Sequence, residues 1–275
     1  MTMVKSLRFP ILCGLVCVGS LLAFRAFQPR SSASGPKSDN AAQALLARHP
    51  VKPFFATFEE RLQKAGRVPT VGARSIVGIR DDGSKVEKND YLGALPITKR
   101  QLYLPGGVQV TINETLRFLI ARRTGAWDPN GLGRLDPESG CQMTFAGRAV
   151  NSAAGPEEAM LGFKAVHLTS AGKGGWDHWL LPDVECAEVR RLATFTDEKG
   201  AVTDTSDLVS TSLKLGEPPA ELFQIPRDYQ QVSPSEAAKR TAAYSKTTLP
   251  EAVVAMLAKA DLDYGRTKVE IKDLP

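Results

Sequence analysis

The residues best suited to chemistry lie in one short stretch, residues 175–191, which reads GWDHWLLPDVECAEVRR. It places carboxylates, an imidazole and a thiol close together, at Asp177, His178, Glu185 and Cys186. Such side chains act as general acids and bases, as nucleophiles and as metal ligands. The stretch therefore raises the question of a catalytic or metal site.

A strand through this stretch decides which side chains can meet. Alternation along GWDHWLL puts Asp177 and His178 on opposite faces of a sheet, so they form no Asp–His dyad unless a bulge intervenes. His178 could instead meet His167 across the preceding hairpin, with Glu185 or Cys186 opposite them, as in a small hydrolase or metal-dependent enzyme. We favour a half-buried imidazole bonded to the backbone, and assign no catalytic residue, metal or cofactor.

No sequence motif adds weight to an enzyme. The chain contains no G-x-S-x-G elbow, Walker loop or dinucleotide fingerprint. Residues 128–136, DPNGLGRLD, resemble a calcium loop but lack its alternating acidic ligands and its final Glu. These features favour a role in binding over one in catalysis.

Two cysteines, Cys141 and Cys186, allow three interpretations. An oxidising compartment would permit a disulfide between them, buried free thiols are the second interpretation, and metal ligation is the third. The chain has no C-x-x-C or H-x-x-x-H spacing, which disfavours zinc. We keep the disulfide as the leading interpretation.

The positive charge of the chain is concentrated at its N-terminus. Of the 35 Lys and Arg residues, five precede residue 39, where there is no Asp or Glu; the other 30 equal the 30 Asp and Glu residues in number. The basic pI near 9.0 therefore belongs to the leader. A globally basic, nucleic-acid-binding surface is not expected, and we predict no nucleic-acid partner.

That leader has the plan of an export signal. Cations flank an apolar run from Phe9 to Phe24, and a small, polar segment follows at residues 31–40. We interpret residues 1–30 as a signal peptide or a retained signal anchor with a transmembrane helix at about 9–27, and favour the anchor. Residues 31–40 would then be a flexible linker that tethers an exported domain to the membrane.

The rest of the chain predicts an α+β fold dominated by an antiparallel β-meander, a curved sheet or half-barrel. Turn signals at Asp81-Asp82-Gly83, Pro105-Gly106-Gly107 and residues 197–200 separate alternating segments. A short helix at residues 41–49 precedes the meander, which ends at residue 232. Two helices at 233–275 follow, with capping signals at Ser233 and Thr248, and pack on the sheet.

Several segments resemble known proteins. PFFATFEERLQK, LGFKAVHL, WDHWLLPDVEC and LKLGEPPAELFQIPRDYQQVSPSE are similar to segments of uncharacterised bacterial exported proteins. The strand order resembles the half-barrel of periplasmic lipoprotein-carrier proteins of the LolA/LolB type. This resemblance implies a concave face that encloses acyl chains, and it identifies no functional residue.

These observations predict an envelope protein, anchored in the inner membrane with its domain in the periplasm, or secreted or periplasmic if the leader is cleaved. Its expected role is non-catalytic binding of an apolar ligand, such as a lipid chain, or of another envelope protein. The alternatives are the enzyme built on His167, His178 and Glu185, and a purely structural envelope component.

Overall fold

A computed structural model of the protein describes residues 51–124, 135–136, 141–145, 148–149, 151–153, 157–170 and 176–274. The predicted leader, linker and short helix at 41–49 lie outside these residues, as do residues 128–134 of the calcium-like loop. Within the described ranges, no helix is long and apolar enough to cross a membrane.

The fold is mostly β, with one large curved sheet and two C-terminal helices. The strands are β1 (Phe54–Lys64), β2 (Thr70–Ile79), β3 (Lys85–Tyr91), β4 (Ile97–Leu104), β5 (Val108–Asn113), β6 (Phe118–Arg123), β7 (Leu135–Asp136), β8 (Gln142–Phe145), β9 (Arg148–Ala149), β10 (Asn151–Ala153), β11 (Glu158–Met160), β12 (Phe163–Ser170), β13 (Trp176–Leu181), β14 (Ala187–Thr196), β15 (Val202–Leu215) and β16 (Gln230–Gln231). The main sheet has the order β10-β12-β13-β14-β15-β1-β2-β3-β4-β5-β6-β16, β11 pairs with β12, and β7, β8 and β9 form a small separate sheet.

Two antiparallel meanders make up this sheet. Strands β1–β6 form the first meander and strands β12–β15 form the second, each built from neighbours in sequence. They are joined by β1 and β15, which pair antiparallel from Phe54 with Leu215 to Lys64 with Asp204. The meander predicted from sequence is confirmed, with a long-range pairing at its centre.

The predicted hairpin turns are present, each with a physical cause. Asp82 Oδ1 accepts a hydrogen bond of 2.8 Å from the Ser84 amide in the β2–β3 turn. Asp197 Oδ1 accepts bonds of 2.9 Å from the amides of Lys199 and Ala201 in the β14–β15 turn. In the β4–β5 turn, Gly106 has a φ of 76°, a left-handed conformation that glycine adopts readily.

A segment after β15, Gly216–Tyr229, crosses one face of the first meander, which we call the outer face. Arg100 Nη1 donates to the carbonyl oxygen of Leu222 at 2.8 Å and fixes this crossing. Pro218 lies 3.0 Å from the place of a Cβ on Gly78, so the close approach needs glycine there. The segment and residues 269–274 cover buried side chains of β3–β6: Val86, Leu102, Leu104, Val108, Val110, Ile112, Leu119 and Ala121.

The two helices, α1 (Pro234–Tyr244) and α2 (Glu251–Thr267), follow β16. Ser233 Oγ accepts a hydrogen bond of 3.4 Å from the Glu236 amide, the N-cap bond of the predicted capping box, whereas the Glu236 carboxylate accepts a bond from Arg240. The predicted cap at Thr248 is wrong, because α2 begins at Glu251 directly after Pro250 and has no side-chain cap. Proline lacks an amide N–H and its fixed φ suits a helix start.

These helices pack against the opposite face of the sheet, which we call the inner face. Ala237 of α1 and Tyr264 of α2 form a buried cluster with Phe118 and Ile120 of β6. Leu257 is also buried, whereas Met256 of the predicted apolar stripe is half exposed. The helices therefore cover the β6 side of the inner face.

Candidate functional site

The histidines of the sequence hypothesis do not come together. Antiparallel pairing sets His167 opposite Trp179 and His178 opposite Leu168. Because neighbouring strand residues alternate, the two imidazoles lie on opposite faces of the sheet. Glu185 lies in the β13–β14 turn with a left-handed φ of 51°. The proposed convergence of His167, His178 and Glu185 is therefore wrong.

On the inner face, His178 binds a carboxylate that the sequence analysis did not select. His178 Nδ1 and Glu188 Oε1 are 2.6 Å apart, and both side chains are mostly buried. Arg191 Nη1 lies 3.8 Å from Glu188 Oε2. A register shift between Trp179 and Leu180 sets Glu188 opposite Leu180, on the same face as His178. This bulge brings His178 and Glu188 together, and no pattern in the sequence predicts it.

On the outer face, His167 belongs to a stack of rings. Its imidazole lies parallel to the Trp179 indole, with centroids 4.2 Å apart. The guanidinium carbon of Arg190 lies 4.6 Å from the centroid of the same indole. Arg190 also makes a two-pronged ion pair with Asp207, at 2.9 and 3.1 Å. This arrangement explains His167 as a packing residue of a half-buried polar surface.

The first meander contributes a second group of polar side chains to the inner face. Lys85 Nζ and Glu87 Oε1 are 2.7 Å apart. Arg122 donates from Nη2 to Gln109 Oε1 at 2.9 Å. Burial, and after it the negative charge of Glu87, raise the pKa of the Tyr103 hydroxyl, which stays neutral. Cross-strand pairing places Lys85, Tyr103, Gln109 and Arg122 in one row across β3, β4, β5 and β6, with Glu87 beside it on the same face.

Electrostatics link the polar groups of the two meanders. Burial by itself would raise the pKa of the Glu188 carboxyl. The charge of Arg191, the bond to His178 and the charge of Lys85 outweigh burial and lower this pKa below its ordinary value. Lys85 and Glu188 act on each other although three strands lie between β3 and β14 in the sheet. We call Lys85, Glu87, Tyr103, Gln109, Arg122, His178 and Glu188 the inner cluster.

The rest of the inner face near β1 is filled by the protein itself. Phe54, Ala56 and Phe58 are almost completely buried, and they belong to one apolar cluster with Val184 and Val189. Val184 lies in the β13–β14 turn and is fully buried. This part of the inner face is thus a packed core flanked by charged side chains.

Cys186 lies in the β13–β14 turn and links this turn to the segment between β6 and β12. Cys141 and Cys186 are joined by a disulfide, with Cα atoms 5.6 Å apart. Both residues are buried, in a cluster with Leu168 and Leu180. Across the described ranges, no group of three or more His, Cys, Asp or Glu side chains could hold a metal ion.

Exposed apolar side chains concentrate at one end of the sheet. The turns β1–β2, β3–β4 and β14–β15 lie at this end together with the start of β13, since neighbouring strands are antiparallel. Eight of the thirteen large apolar side chains exposed in the described part belong to this end. They form what we call the rim: Leu62, Val68, Val71, Leu92, Leu95, Trp176, Phe195 and Val202.

The turns of the rim differ in charge. Residues 62–71, LQKAGRVPTV, carry Lys64 and Arg67 and no acid. Residues 92–96, LGALP, are uncharged and all exposed. The β14–β15 turn is the acidic one, with Asp197 and Glu198 beside Lys199. The most exposed rim residue, Val68 at 83%, lies in the basic turn.

No protein-family model and no curated protein matches the chain. Among solved structures, it is similar to the MucA/MucB complex of Pseudomonas aeruginosa, with 17% identity and a TM-score of 0.38 over 72% of this chain. The chain spans 64% of that structure's chain, just under two thirds.

Two further solved structures belong to this comparison. A LolA superfamily protein from Nitrosomonas europaea has 12% identity and a TM-score of 0.30, over 67% of this chain and 97% of that one. LprF from Mycobacterium bovis has 12% identity and a TM-score of 0.29, over 72% of this chain and 100% of that one. A LolA superfamily protein is thus among the solved structures to which this chain is similar, as the sequence pattern predicted.

Proposed function

We propose that this protein is a membrane-tethered binding protein of the bacterial envelope, with its β-domain in the periplasm, and that it binds lipid surfaces through the rim. Its role is binding and not catalysis. The observation that carries the proposal is the concentration of exposed apolar side chains on turns and strand ends at one end of the sheet. Large exposed apolar surfaces on soluble domains mark sites of contact with proteins or membranes.

The inner face is less suited to an apolar ligand. An acyl chain there would have to displace the packed side chains of Phe54 and Phe58 or lie against Lys85 and Glu188. Burying charged groups against hydrocarbon costs several kcal/mol unless each keeps its polar partners. The apolar ligand predicted from sequence is therefore placed by this proposal at the rim, as a lipid surface.

The expected affinity is that of reversible surface binding. Burying half of a Val or Leu side chain in the interface contributes about 1 kcal/mol, and a cation near an anionic surface contributes about 1 kcal/mol more. The basic turn of Lys64 and Arg67 and the uncharged turn of Leu92 and Leu95 together supply several such contributions. A membrane tether would raise the local concentration and make weak binding sufficient.

The test uses the full-length protein in vesicles that contain phosphatidylglycerol and spin-labelled lipid. A fluorophore is attached at Val68→Cys or Leu95→Cys in a Cys13→Ala/Cys17→Ala background. The matched control carries the label at Leu215→Cys, which is 59% exposed but lies at the opposite end of the sheet. We expect several-fold stronger quenching at the rim than at residue 215. Equal quenching at both ends, or none at the rim, would refute lipid binding and leave a protein partner as the occupant of the rim.

A further inference from the structure

Helix α2 has a side that the fold leaves uncovered. Of its 17 residues, only Leu257 and Tyr264 are buried, seven positions apart on the side that packs within the protein. Away from this side, the helix exposes Leu262 at 69% and Val254 at 49%. Helix α1, by contrast, exposes only two of its 11 residues. Helix α2 is therefore the member of the helical pair that is open to a partner.

A regular series of exposed positions runs along the uncovered side. The positions are spaced by four, three, four and three residues, and we call them the α2 stripe: Glu251, Ala255, Ala258, Leu262 and Gly265. This is the spacing of the a and d positions of a coiled coil, so the stripe follows one line along the helix. Its centre is Ala258, where a small side chain lets a second helix axis approach to about 8 Å.

Three charged side chains border this stripe. Glu251 and Arg266 lie at its two ends and Lys259 at its edge, and all three are exposed. Among the residues that the structure describes, none of the three has an ion-pair or hydrogen-bond partner, whereas Asp261 accepts a bond from the Ser235 amide. An apolar stripe with opposite charges at its ends is complementary to a copy of itself that runs in the opposite direction.

The register of such an antiparallel pair follows from the sequence of α2. A two-fold axis beside Ala258 sets Leu262, four residues after it, against Val254 of the second copy, four residues before it. The same axis brings Arg266 beside Glu251 of the second copy at the end of the stripe. Each contact occurs twice, as a two-fold interface requires. Apolar and charged contacts are thus satisfied in one register.

We infer that α2 docks against α2 of a second copy of this chain, as an antiparallel pair with Ala258 at its centre. This surface is separate from the rim, so the inference goes beyond the proposed lipid binding. The two Lys259 side chains lie at the edge of the pair, in water, where salt screens their repulsion.

The size of the stripe sets the expected affinity. A helix of 17 residues is about 25 Å long and about 10 Å wide, so the stripe offers roughly 250 Å² per copy. A standard interface buries about 800 Å² on each side. The pair is therefore expected to be transient, with a dissociation constant on the order of 100 μM.

Disulfide cross-linking of the full-length protein tests the pair. Ala258→Cys is introduced in the Cys13→Ala/Cys17→Ala background, and a mild oxidant is added near the expected dissociation constant. The matched control is Met256→Cys, because Met256 is 48% exposed on the same helix but lies about 200° around it from Ala258. We expect covalent dimers to form several-fold faster at residue 258, which lies on the axis. Equal rates at the two positions would overturn the pair.

Charge reversal provides a second readout. Glu251→Arg and Arg266→Glu should each slow cross-linking at residue 258 several-fold, because each sets like charges against one another across the axis. The double variant Glu251→Arg/Arg266→Glu should restore the rate, and circular dichroism checks that every variant is folded. A double variant as slow as the single ones would overturn the antiparallel register. Slow cross-linking, combined with protection of the Ala258→Cys thiol from a maleimide by phosphatidylglycerol vesicles, would overturn the pair and assign the stripe to lipid.

Discussion

The inner cluster and the rim reverse the usual distribution of polar and apolar side chains. The inner cluster holds Lys85 and Glu188 largely out of water, whereas the rim exposes Val68 to it. Each charge of the inner cluster has a partner of opposite charge or a hydrogen bond, so its burial is compensated within the fold. The exposed apolar side chains of the rim contribute no free energy of burial to the fold of the free protein. The comparison favours the proposal that the inner cluster serves the fold and the rim serves an external contact.

The largest expected effect comes from removing the covalent link next to the inner cluster. The double change Cys141→Ala/Cys186→Ala should lower the free energy of unfolding by about 4 kcal/mol, because the disulfide closes a 45-residue separation and restricts the unfolded chain. Urea unfolding followed by circular dichroism measures this loss. Two alkylatable thiols at Cys141 and Cys186 in the wild-type protein, after export to an oxidising compartment, would contradict the bridge.

A smaller loss of stability is expected from a substitution within the inner cluster itself. Glu188→Ala leaves His178 and Arg191 without their carboxylate and should destabilise the fold by about 2–3 kcal/mol. Glu198→Ala, in the exposed β14–β15 turn, is the control and should change stability by less than about 0.5 kcal/mol. If urea midpoints of the two variants coincide, the inner cluster does not serve the fold as proposed.

The third prediction concerns acid sensitivity. The folded state lowers the pKa of Glu188, so its ionised form contributes stability above the unfolded pKa, and this contribution is lost as the pH falls through the lower, folded value. Glu188→Gln should therefore be less stable near neutral pH and show a flatter loss of stability below about pH 4.5. Melting temperatures recorded between pH 7 and pH 3 test this; parallel curves for variant and wild type would speak against it.

The smallest effect on stability is expected at the rim. The double change Val68→Asp/Leu95→Asp should shift the free energy of unfolding by less than about 0.5 kcal/mol, since both side chains are exposed in the folded and unfolded states. The same variant should lose binding to anionic vesicles, measured by flotation. A large loss of stability would show that the rim packs within the fold, and the contrast between the two regions would disappear.

Local signals were enough to predict much of the fold. The turns at Asp82 and Asp197, and the cap at Ser233, depend on hydrogen bonds within a few residues. The predicted cap at Thr248 failed because Pro250 provides a competing helix start two residues later. Alternation correctly separated Asp177 from His178, since it follows from the period of a strand.

The candidate site was harder to predict because its members are distant in sequence. No local pattern predicts the bulge that sets Glu188 beside His178, and none predicts the pairing of β1 with β15. The rim combines turns and strand ends from both meanders, and each of its apolar residues is ordinary in the sequence. Such groupings depend on strand order, which nonlocal packing selects.

The sequence by itself determined the hairpins, the capped start of α1 and the neutral balance of charge beyond the leader, because these depend on composition and on neighbours along the chain. Tertiary structure alone decided that Lys85 acts on Glu188, that His167 and His178 lie on opposite faces, and that the exposed apolar side chains of the rim share one end of the sheet. The physical reason is that curvature, register and long-range pairing minimise the free energy of the whole chain, and no single segment contains that information.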